Sequence, residues 1–460
     1  MCIRLHGAIA AIWRSARIWI ETTALKAPIL HSENSRNVRF NFAVNVTDGG
    51  LFGMALGFAS FVTVIPLFVN TLTNSSILIG LIASIHMVGW QLPQILTANR
   101  VAYLLRFKPM VMFMTLHERW PFFGLALIAL FSTQMDKRVA LALTFVMVII
   151  HALMGGLTAT AWQSMIAKII PKERRGIFYG TQSAAANLLS SIAAVIAGLI
   201  LAAASGSTVG FALCFFLAGV LMMASLGFLA QTRESESVKR EDTPLKGAAF
   251  RRSLVAILRR DRNFRIFIIT RMLIQIASVG SAFYSVYTVR RFEADAAMAG
   301  VLTGIYLLAA TISNPVCGWL GDKYGHRRMF AFGALLAGTS AFIALMATSA
   351  SWFIIVFILF GFSHGAQWTS SNALLLDFGS EKDRPFYVGL GNTLVAPVTL
   401  LTPLIGGWLS DAVSFEATFL CASAAGVLTA IIAFFVMREP KHSVIHTTPE
   451  PVELAMHASP

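Results

Sequence analysis

Twelve long apolar runs constrain the fold of this chain more than any other feature of its sequence. Each run has about twenty or more residues, the length that an α-helix needs to cross roughly 30 Å of hydrocarbon. Backbone groups in lipid must pair within their own segment, and these runs lack the alternation of barrel strands. The runs lie at about 48–70, 76–99, 109–132, 139–168, 176–203, 208–230, 264–289, 298–320, 329–348, 352–377, 385–410 and 414–437. The sequence therefore predicts an all-α, multi-pass membrane protein.

The charged residues are few, at 13% of the chain, but they give a net charge of +14. This charge could indicate a nucleic-acid partner, so its position decides its meaning. Basic residues concentrate in the short connections on one side, at Arg100, Arg106, Lys108, Lys172, Arg174, Arg175, Lys323, Arg327, Arg328, Lys382 and Arg384. The other side carries Lys137, Arg138, Arg290 and Arg291. The positive-inside rule then predicts that both termini and the linker at 231–263 are cytoplasmic, facing the anionic headgroups of the bilayer. No nucleic-acid partner is predicted.

The motifs of soluble enzymes are missing from the sequence. The four cysteines have no metal-ligand spacing, and no phosphate-loop or dinucleotide motif is present. The sequence "GFSHG" at 361–365 matches a nucleophile elbow, but that motif needs a strand-to-helix turn and here lies within a predicted span. We interpret the chain as not an enzyme, with no cofactor and no metal site.

The chain contains an internal repeat. An Arg-Glu pair recurs at 233/234 and 438/439, and an arginine precedes a glycine by five residues at both 175/180 and 384/389. We therefore divide the chain into a basic extension (1–40), a six-helix bundle (41–230), a cytoplasmic linker (231–263), a second six-helix bundle (264–437) and a cytoplasmic tail (438–460). The linker contains an amphipathic helix, whose apolar side we expect to face lipid.

The stretch "GWLGDKYGHRR" at 318–328 is the most specific motif of the chain. With it, the chain resembles the major facilitator superfamily over about residues 41–437. The family signature G-x-x-x-D-(R/K)-x-G-x-(R/K)-(R/K) is met by Gly318, Asp322, Lys323, Gly325, Arg327 and Arg328. The segments "VIPLFVNTLTNSSILIGL", "GWQLPQILTANR" and "PKERRGIFYG" look like a poorly characterised bacterial branch. In the first-half copy of the signature, Ala102 stands where Asp322 stands in the second.

The resemblance implies twelve transmembrane helices in two pseudo-symmetric six-helix bundles, with cytoplasmic termini. It also implies a central cavity lined by helices one, four, seven and ten, whose polar residues are candidate substrate contacts. The candidates are His151, Gln163, Arg271, Gln275, Tyr284, His364, Gln367 and Trp368. Some of them could instead only bridge helices by hydrogen bonds. We predict that the candidates on helices four and ten line one shared cavity.

Charged residues within spans are costly and therefore informative. Glu118 and Arg119 lie near the middle of the third run. Glu118 is either a proton-carrying carboxylate or part of a structural ion pair, and we expect both residues to have polar neighbours on other helices. Asp48, at the predicted start of helix one, is either a charge that complements the helix dipole or a coupling site.

The signature motif suggests a conformational latch. We predict that Asp322 rests against the unpaired backbone N–H groups at 176–180 of the other half when the cytoplasmic side is closed. Lys323 or Arg327 would then be held by Asp377, while Gly318 and Gly325 permit close contact and a tight turn. Basic anchoring at the inner surface is the alternative, and it leaves Asp322 unexplained.

Together these features predict a secondary active transporter that moves a small solute by alternating access. We expect a monomer in the bacterial cytoplasmic membrane. Proton coupling and uniport are both consistent with the sequence. The alternative is a non-transporting sensor or assembly partner on the same scaffold, for which a collapsed or apolar cavity is expected.

Overall fold

The computed structural model describes residues 32–61, 63–73, 75–204, 207–236, 247–292, 296–380 and 383–440. The predictions for the first part of the amino-terminal extension and for most of the carboxyl-terminal tail lie outside these residues. Within them, the chain is helical throughout, apart from short turns and connections.

The first half contains nine α-helices among its described residues. They are α1 (Ser32–Phe58), α2 (Val64–Leu72), α3 (Ser76–Gln91), α4 (Gln94–Val101), α5 (Lys108–Arg119), α6 (Pro121–Phe131), α7 (Lys137–Ile169), α8 (Arg175–Ala203) and α9 (Thr208–Leu229). A 3₁₀ turn at Lys172–Arg174 leads into α8.

The linker and the second half follow the same scheme. Their helices are α10 (Gly247–Arg260), α11 (Arg262–Ala277), α12 (Ser281–Phe292), α13 (Ala296–Tyr324), α14 (His326–Met346), α15 (Trp352–Asp377), α16 (Arg384–Thr393), α17 (Ala396–Ala412) and α18 (Phe415–Ile431). A 3₁₀ turn joins α11 to α12 at Ser278–Gly280, and a π-helical turn at Ile432–Val436 follows α18.

Eight helical segments among the described residues are long and apolar enough to cross a membrane. They confirm a multi-pass membrane protein. The predicted runs at 48–70, 76–99 and 109–132 are also helical, but each is divided between two helices. Pro93 and Pro121 lie at two of these breaks, because proline cannot donate a backbone hydrogen bond within a helix. The number of twelve spans stays a prediction.

The first helix begins earlier than its apolar pattern indicates. α1 starts at Ser32, so residues 32–40 of the predicted extension are helical and continuous with the first span. The stretch "SENSRNVRFN" is too polar to register as a span, but it has no glycine or proline to stop a helix.

The internal repeat is visible in how the chain caps two equivalent helices. Glu234 accepts hydrogen bonds of 2.9 and 2.8 Å from backbone N–H groups at the start of α5. Glu439 accepts two bonds of 3.0 Å at the start of α14. Asn41 and Asn263 each bind the backbone of the arginine before one of these glutamates. The recurring Arg-Glu pair therefore marks a capping site that both halves share.

Small residues set the closest helix contacts. A Cβ built at Gly53 in α1 would lie 2.6 Å from the backbone of Ala186 in α8, and Gly57 meets the carbonyl oxygen of Ser190 as closely. Gly361 in α15 packs in the same way against the backbone of α13. Lipid provides little hydrophobic drive for helix association, so such close packing is a main source of stability.

Buried apolar side chains form three large clusters among the described residues. One lies in the first half, one in the second half, and one is shared by both halves at the end that carries Lys172, Arg174, Lys323 and Arg328, here called the basic end. The shared cluster includes Phe178, Phe264, Phe267, Phe330 and Tyr387. The two halves therefore meet at the basic end.

The linker helix α10 turns its apolar side toward the protein. Phe250, Leu254 and Ile257 pack against a small cluster formed by Ala98 and Phe386, with Ala102. This corrects the expectation that the apolar side faces lipid. The reason is that α4 and α16 together offer an apolar surface at the basic end, which the periodicity of α10 alone cannot reveal.

Candidate functional site

At the basic end, a carboxylate joins the start of α8 to the end of α13. Asp322 Oδ1 accepts a hydrogen bond of 2.9 Å from the Gly176 backbone N–H, and Oδ2 accepts one of 2.8 Å from that of Ile177. The first N–H groups of a helix lack partners within the helix and carry partial positive charge. His326 Nε2 lies 3.0 Å from the same carboxylate within the second half. The Asp322 contact, as we call the two bonds to α8, links the two halves by charge-assisted hydrogen bonds.

Glycines let α8 and α13 approach to backbone contact. A Cβ built at Gly176 would lie 2.5 Å from the carbonyl oxygen of Gly318, and Gly180 packs as closely on the backbone of Asn314. Gly325 follows α13 with φ of 102°, a left-handed conformation that glycine adopts readily. Larger residues at these contacts would separate the helices and lengthen the bonds of Asp322.

Asp377 has a different partner from the predicted Lys323 or Arg327. Its Oδ1 lies 2.9 Å from Nη1 of Arg175, and both side chains are almost fully buried. Lys323 instead lies over two aromatic rings of its own helix end, and Arg327 donates to carbonyl oxygens that follow α18. The reason is position, because the end of α15 meets the first residue of α8. Asp377 therefore belongs to the contact between the halves.

Arg175 enters the sequence interpretation only as a repeat marker and a basic loop residue. In the structure it also donates to the carbonyl oxygen of Ala167, and it lies directly before the residues that bind Asp322. Arg384, its repeat equivalent, donates through Nε to the carbonyl oxygen of Leu376 at 3.0 Å. The signal that could have identified Arg175 is this recurrence of an arginine at two helix starts.

A second interface joins α4 of the first half to α16 of the second. Asn392 Nδ2 donates to Gln94 Oε1 at 2.7 Å, and Thr393 Oγ1 donates to the carbonyl oxygen of Leu92 at 3.0 Å. The break at Pro93 leaves carbonyl groups of α3 without helical partners. Thr393 from the opposite half supplies one of these partners.

Nearer the basic end, the interface of α4 and α16 is apolar. Gly389 packs against the backbone and side chains of α4, and Phe386 lies against Ala98 and Ala102. Ala102 is the repeat equivalent of Asp322. The polar contact of the first interface is therefore replaced by an apolar contact in the second.

Two tryptophans meet across the halves above these interfaces. The rings of Trp90 and Trp368 lie 6.4 Å apart, and Trp368 Nε1 donates to Ser183 Oγ at 3.1 Å. His364 is one turn away from Trp368 on α15, is exposed, and has its ring 5.9 Å from that of Tyr306. Trp368 and His364 thus occupy the face of α15 that points toward the first half.

Three of the predicted cavity residues point elsewhere. Gln367 donates to the Gly333 carbonyl oxygen on α14 at 3.2 Å. Tyr284 is fully buried and its hydroxyl lies 3.2 Å from Ser340 Oγ, also on α14. His151 is turned into the first half, as described below. The helical period shows which residues share one side of a helix, but it does not show which neighbouring helix packs against that side.

The other three candidates make contacts within their own halves or are buried. Arg271 donates to the carbonyl oxygen of Gly391 on α16 at 2.9 Å, and Gln275 donates to Thr399 on α17. Gln163 is buried, and its Oε1 has no hydrogen-bond partner among the described residues. The shared cavity predicted for helices four and ten therefore rests on His364 and Trp368 from the helix-ten side.

Asp48 and Arg119 form a buried ion pair in the first half. Arg119 Nη2 lies 2.9 Å from Asp48 Oδ1, and Nη1 donates to the Met222 carbonyl oxygen at 3.1 Å. Ser225 of α9 donates to the Asp48 carbonyl oxygen at 2.9 Å. Asp48 is therefore not a charge at a helix start, because α1 begins at Ser32 and places it deep within the bundle.

Glu118 is buried without a partner for its carboxylate. Its side chain is 8% exposed, and no described residue forms a hydrogen bond with its carboxyl oxygens. The carboxylate lies beside Gly155 of α7, next to the ring of Trp90. Only the backbone carbonyl of Glu118 has a polar neighbour on another helix, His151 Nδ1 at 2.8 Å. The expected neighbour is therefore present for Arg119, but not for the Glu118 carboxylate.

Sequence reasoning missed His86 on α3. Its ring stacks on Phe61 at 4.0 Å, and the His151 ring lies 5.5 Å away, nearly parallel. The break between α1 and α2 places Phe61 beside both histidines, with its ring 5.2 Å from that of His151. A histidine within an apolar run is a usable signal. Among the described residues, no three His, Cys, Asp or Glu side chains converge as metal ligands would.

A protein-family model matches most of the chain. The model of the Major Facilitator Superfamily matches residues 49–292 and 276–456. The chain is 24% identical to the multidrug export protein EmrB of Haemophilus influenzae over 149 residues, which are 32% of this chain and 29% of that protein. It is 26% identical to the quinolone resistance protein NorA of Staphylococcus aureus over 144 residues, 31% of this chain and 37% of that protein. The chain thus spans about a third of the length of these relatives.

Solved structures share the fold. The E. coli fucose:proton symporter FucP has a TM-score of 0.69 at 16% identity, covering 86% of this chain and 98% of that one. The proton:xylose symporter XylE has a TM-score of 0.68 at 18% identity, covering 88% and 97%. A bacterial homologue of the iron transporter ferroportin, in an outward-facing state, has a TM-score of 0.67 at 14% identity, covering 85% and 98%. The family and these neighbours are transporters, in agreement with the interpretation that the chain is not an enzyme.

Proposed function

This chain belongs to the major facilitator superfamily, and from that premise we propose that it is a secondary active transporter of a small solute, working by alternating access. Two six-helix halves with twelve spans in the bacterial cytoplasmic membrane are part of the proposal. The observation that carries it is the pair of interfaces at the basic end, α8 with α13 and α4 with α16. The positive-inside rule predicts that this end is cytoplasmic, and we therefore assign the structure to a state closed to the cytoplasm.

The interfaces have the character of a reversible gate. They combine close helix packing with a small number of polar contacts, such as Asp322 with the start of α8 and Asn392 with Gln94. These contacts join surfaces held close by glycine, so each can be lost as a unit when the halves rotate. An alternating-access cycle needs contacts of this kind, with two discrete arrangements.

We assign solute contact to the pair Trp90 and Trp368, here called the floor, which lies above the gate. The rings of Trp90 and Trp368 meet between the halves, and His364 is exposed one turn beyond Trp368. Because Trp90 and Trp368 come from opposite halves, a solute resting on them would touch the two elements that must separate. Binding there can therefore be coupled to the movement of the halves.

Proton coupling through Glu118 is the form of energy use that the charges favour. Asp48 and Glu118 supply two carboxylates, and Arg119 supplies one positive charge to balance them. A net negative charge within the bilayer is unfavourable, so we propose that the unpaired Glu118 holds a proton in the closed state. Trp90 lies beside the same glycine, Gly155, as the Glu118 carboxylate, so separation of Trp90 from Trp368 would alter the access of that carboxylate to water.

A transport assay with a matched variant tests this function. Purified protein in liposomes is screened for solute accumulation driven by a proton gradient and for solute exchange without one. We expect Glu118→Gln to abolish accumulation and leave exchange intact, since only the proton is lost. Glu173→Gln, which removes an exposed carboxylate at the basic end, is the control and should leave both activities unchanged. Accumulation that persists in Glu118→Gln would exclude Glu118 as the carrier, and a chain that moves no solute would favour a sensor or assembly partner.

A further inference from the structure

The linker helix α10 covers the interface of α4 with α16. In this part of the gate, Ala102 stands at the position that is equivalent to Asp322. Phe250 lies with its ring 6.0 Å from that of Phe386, and Leu254 and Ile257 pack on the same cluster with Ala102. Closure of α4 against α16 therefore builds the surface on which α10 rests. If the two helices separate, α10 loses part of that surface.

The carboxyl-terminal end of α10 is tied to the same helix. Asp261, which follows α10, accepts a hydrogen bond of 3.1 Å from the Tyr387 hydroxyl. Its other oxygen accepts one of 2.8 Å from the Phe264 backbone N–H at the start of α11. Two consecutive residues of α16, Phe386 and Tyr387, thus fix the two ends of the linker helix.

The outer face of α10 is basic. Arg251, Arg252 and Arg259 are exposed around a shallow apolar strip formed by alanines and Val255. Among the described residues, no carboxylate lies within ion-pair distance of these three arginines. α11, a candidate membrane span, starts at Arg262 directly after α10. The basic face therefore lies at the depth of the lipid headgroups.

We propose that anionic phospholipid binds the Arg251, Arg252 and Arg259 face of α10 and thereby stabilises the closed cytoplasmic gate. Guanidinium groups bind phosphate oxygens with two parallel hydrogen bonds, and the apolar strip accommodates the glycerol and upper acyl chain. The anionic headgroups of the cytoplasmic leaflet attract basic side chains that lie near the membrane surface. Lipid that binds α10 in its docked position favours the state in which α4 and α16 form the docking surface, by linkage.

The first measurement is lipid retention on the full-length protein. Native mass spectrometry counts phosphatidylglycerol molecules that survive purification for the parent protein, for the triple variant Arg251→Gln, Arg252→Gln, Arg259→Gln, and for a control. The control, Arg36→Gln, Arg39→Gln, Lys172→Gln, removes the same charge from other exposed positions at the basic end. We expect retention to fall in the α10 variant only. Equal loss in both variants, or no loss in either, would overturn the proposal.

The second measurement is the state of the gate. Spin labels at Leu105→Cys and Ser380→Cys, in a background without the native cysteines, report the separation of α4 from α16. We expect phosphatidylglycerol in phosphatidylcholine nanodiscs to raise the ratio of closed to open protein at least about fivefold, the lower end of allosteric coupling. The α10 arginine variant should lose this effect, and the control should keep it.

A variant on the apolar face of α10 separates lipid binding from the effect of the lipid on the gate. Phe250→Ala should retain phosphatidylglycerol yet lose the change in the distance distribution, because the lipid signal reaches the gate through this contact. A lipid effect that persists in Phe250→Ala would contradict the proposed route. The inference rests on the two states of the proposed transport cycle, but neither measurement needs a solute, so failure to find transport leaves its result unaffected.

Discussion

At the scale of single residues, Asp322 has the clearest energetic role. Its two oxygens satisfy two backbone donors of the opposite half, and these donors would otherwise be unpaired at the first turn of α8. Arg175 and Asp377 are buried beside this contact, and removal of one member of such a pair leaves an uncompensated charge. The closed state therefore depends on a few groups whose loss should change the conformational equilibrium.

We predict that Asp322→Ala shifts the equilibrium toward the inward-facing state by about 1–3 kcal/mol, the usual size of a coupling interaction. Spin labels at Glu173→Cys and Tyr324→Cys measure the separation of α8 from α13. Asp136→Ala is the matched control, since Asp136 also caps a helix, α7, but within one half. Unchanged populations in Asp322→Ala, with both states visible, would refute the latch.

The sequence predicts the contacts of a residue best where a motif identifies its neighbour. The position of Asp322 at the end of one helix, opposite a helix start in the other half, follows from the signature and from the repeat. The sequence predicts the wrong cation for Asp377, because basic residues on separate helices compete for this carboxylate and only packing decides between them. Tyr284 and Gln367 lie in the predicted spans, but their side chains face α14 instead of a cavity between the halves. The period of a helix therefore does not identify the neighbour of a side chain unless a repeat or a motif adds a second constraint.

At the scale of helices, the two interfaces explain why the first-half motif lacks its acid. The start of α8 offers two free backbone N–H groups to Asp322. The equivalent start of α16 has Pro385 at the position of Gly176, and Pro385 has no N–H group. The N–H groups of Phe386 and Tyr387 already bond to the Asp383 carbonyl oxygen. A carboxylate at position 102 would find no donor among these groups.

Restoring the signature aspartate in the first half should therefore weaken the gate. We predict that Ala102→Asp lowers the closed population, because it buries a carboxylate against Phe386 without donors, at a cost of roughly 1–3 kcal/mol. The labels at Leu105→Cys and Ser380→Cys provide the readout. Ala102→Asn is the control of similar size and should have a smaller effect. A higher closed population in Ala102→Asp would show that α16 can rearrange to supply donors.

At the scale of the whole molecule, the two halves are joined at one end and the floor of the central space lies just above the joint. Trp90 and Trp368 mark this floor, with Asn392 buried below it and His364 exposed above it. If the basic end is cytoplasmic, His364 is open to the outside in this state and Asn392 is accessible from neither side. Breaking the Asp322 contact should make Asn392 accessible from the basic end and His364 less accessible from the opposite end, because the same two halves enclose both residues.

We predict that a cysteine at His364 reacts with a membrane-impermeant thiol reagent added outside the cell, and that a cysteine at Asn392 is protected. Adding Asp322→Ala should slow the reaction at position 364, because a loss of about 1 kcal/mol or more lowers the ratio of outward-facing to inward-facing protein about fivefold or more. The same change should expose position 392 to reagent from the cytoplasmic side in inside-out vesicles. Asp136→Ala should alter neither rate. Equal labelling of position 364 from both sides before the change, or protection of position 392 after it, would contradict the orientation and the rocking of the halves together.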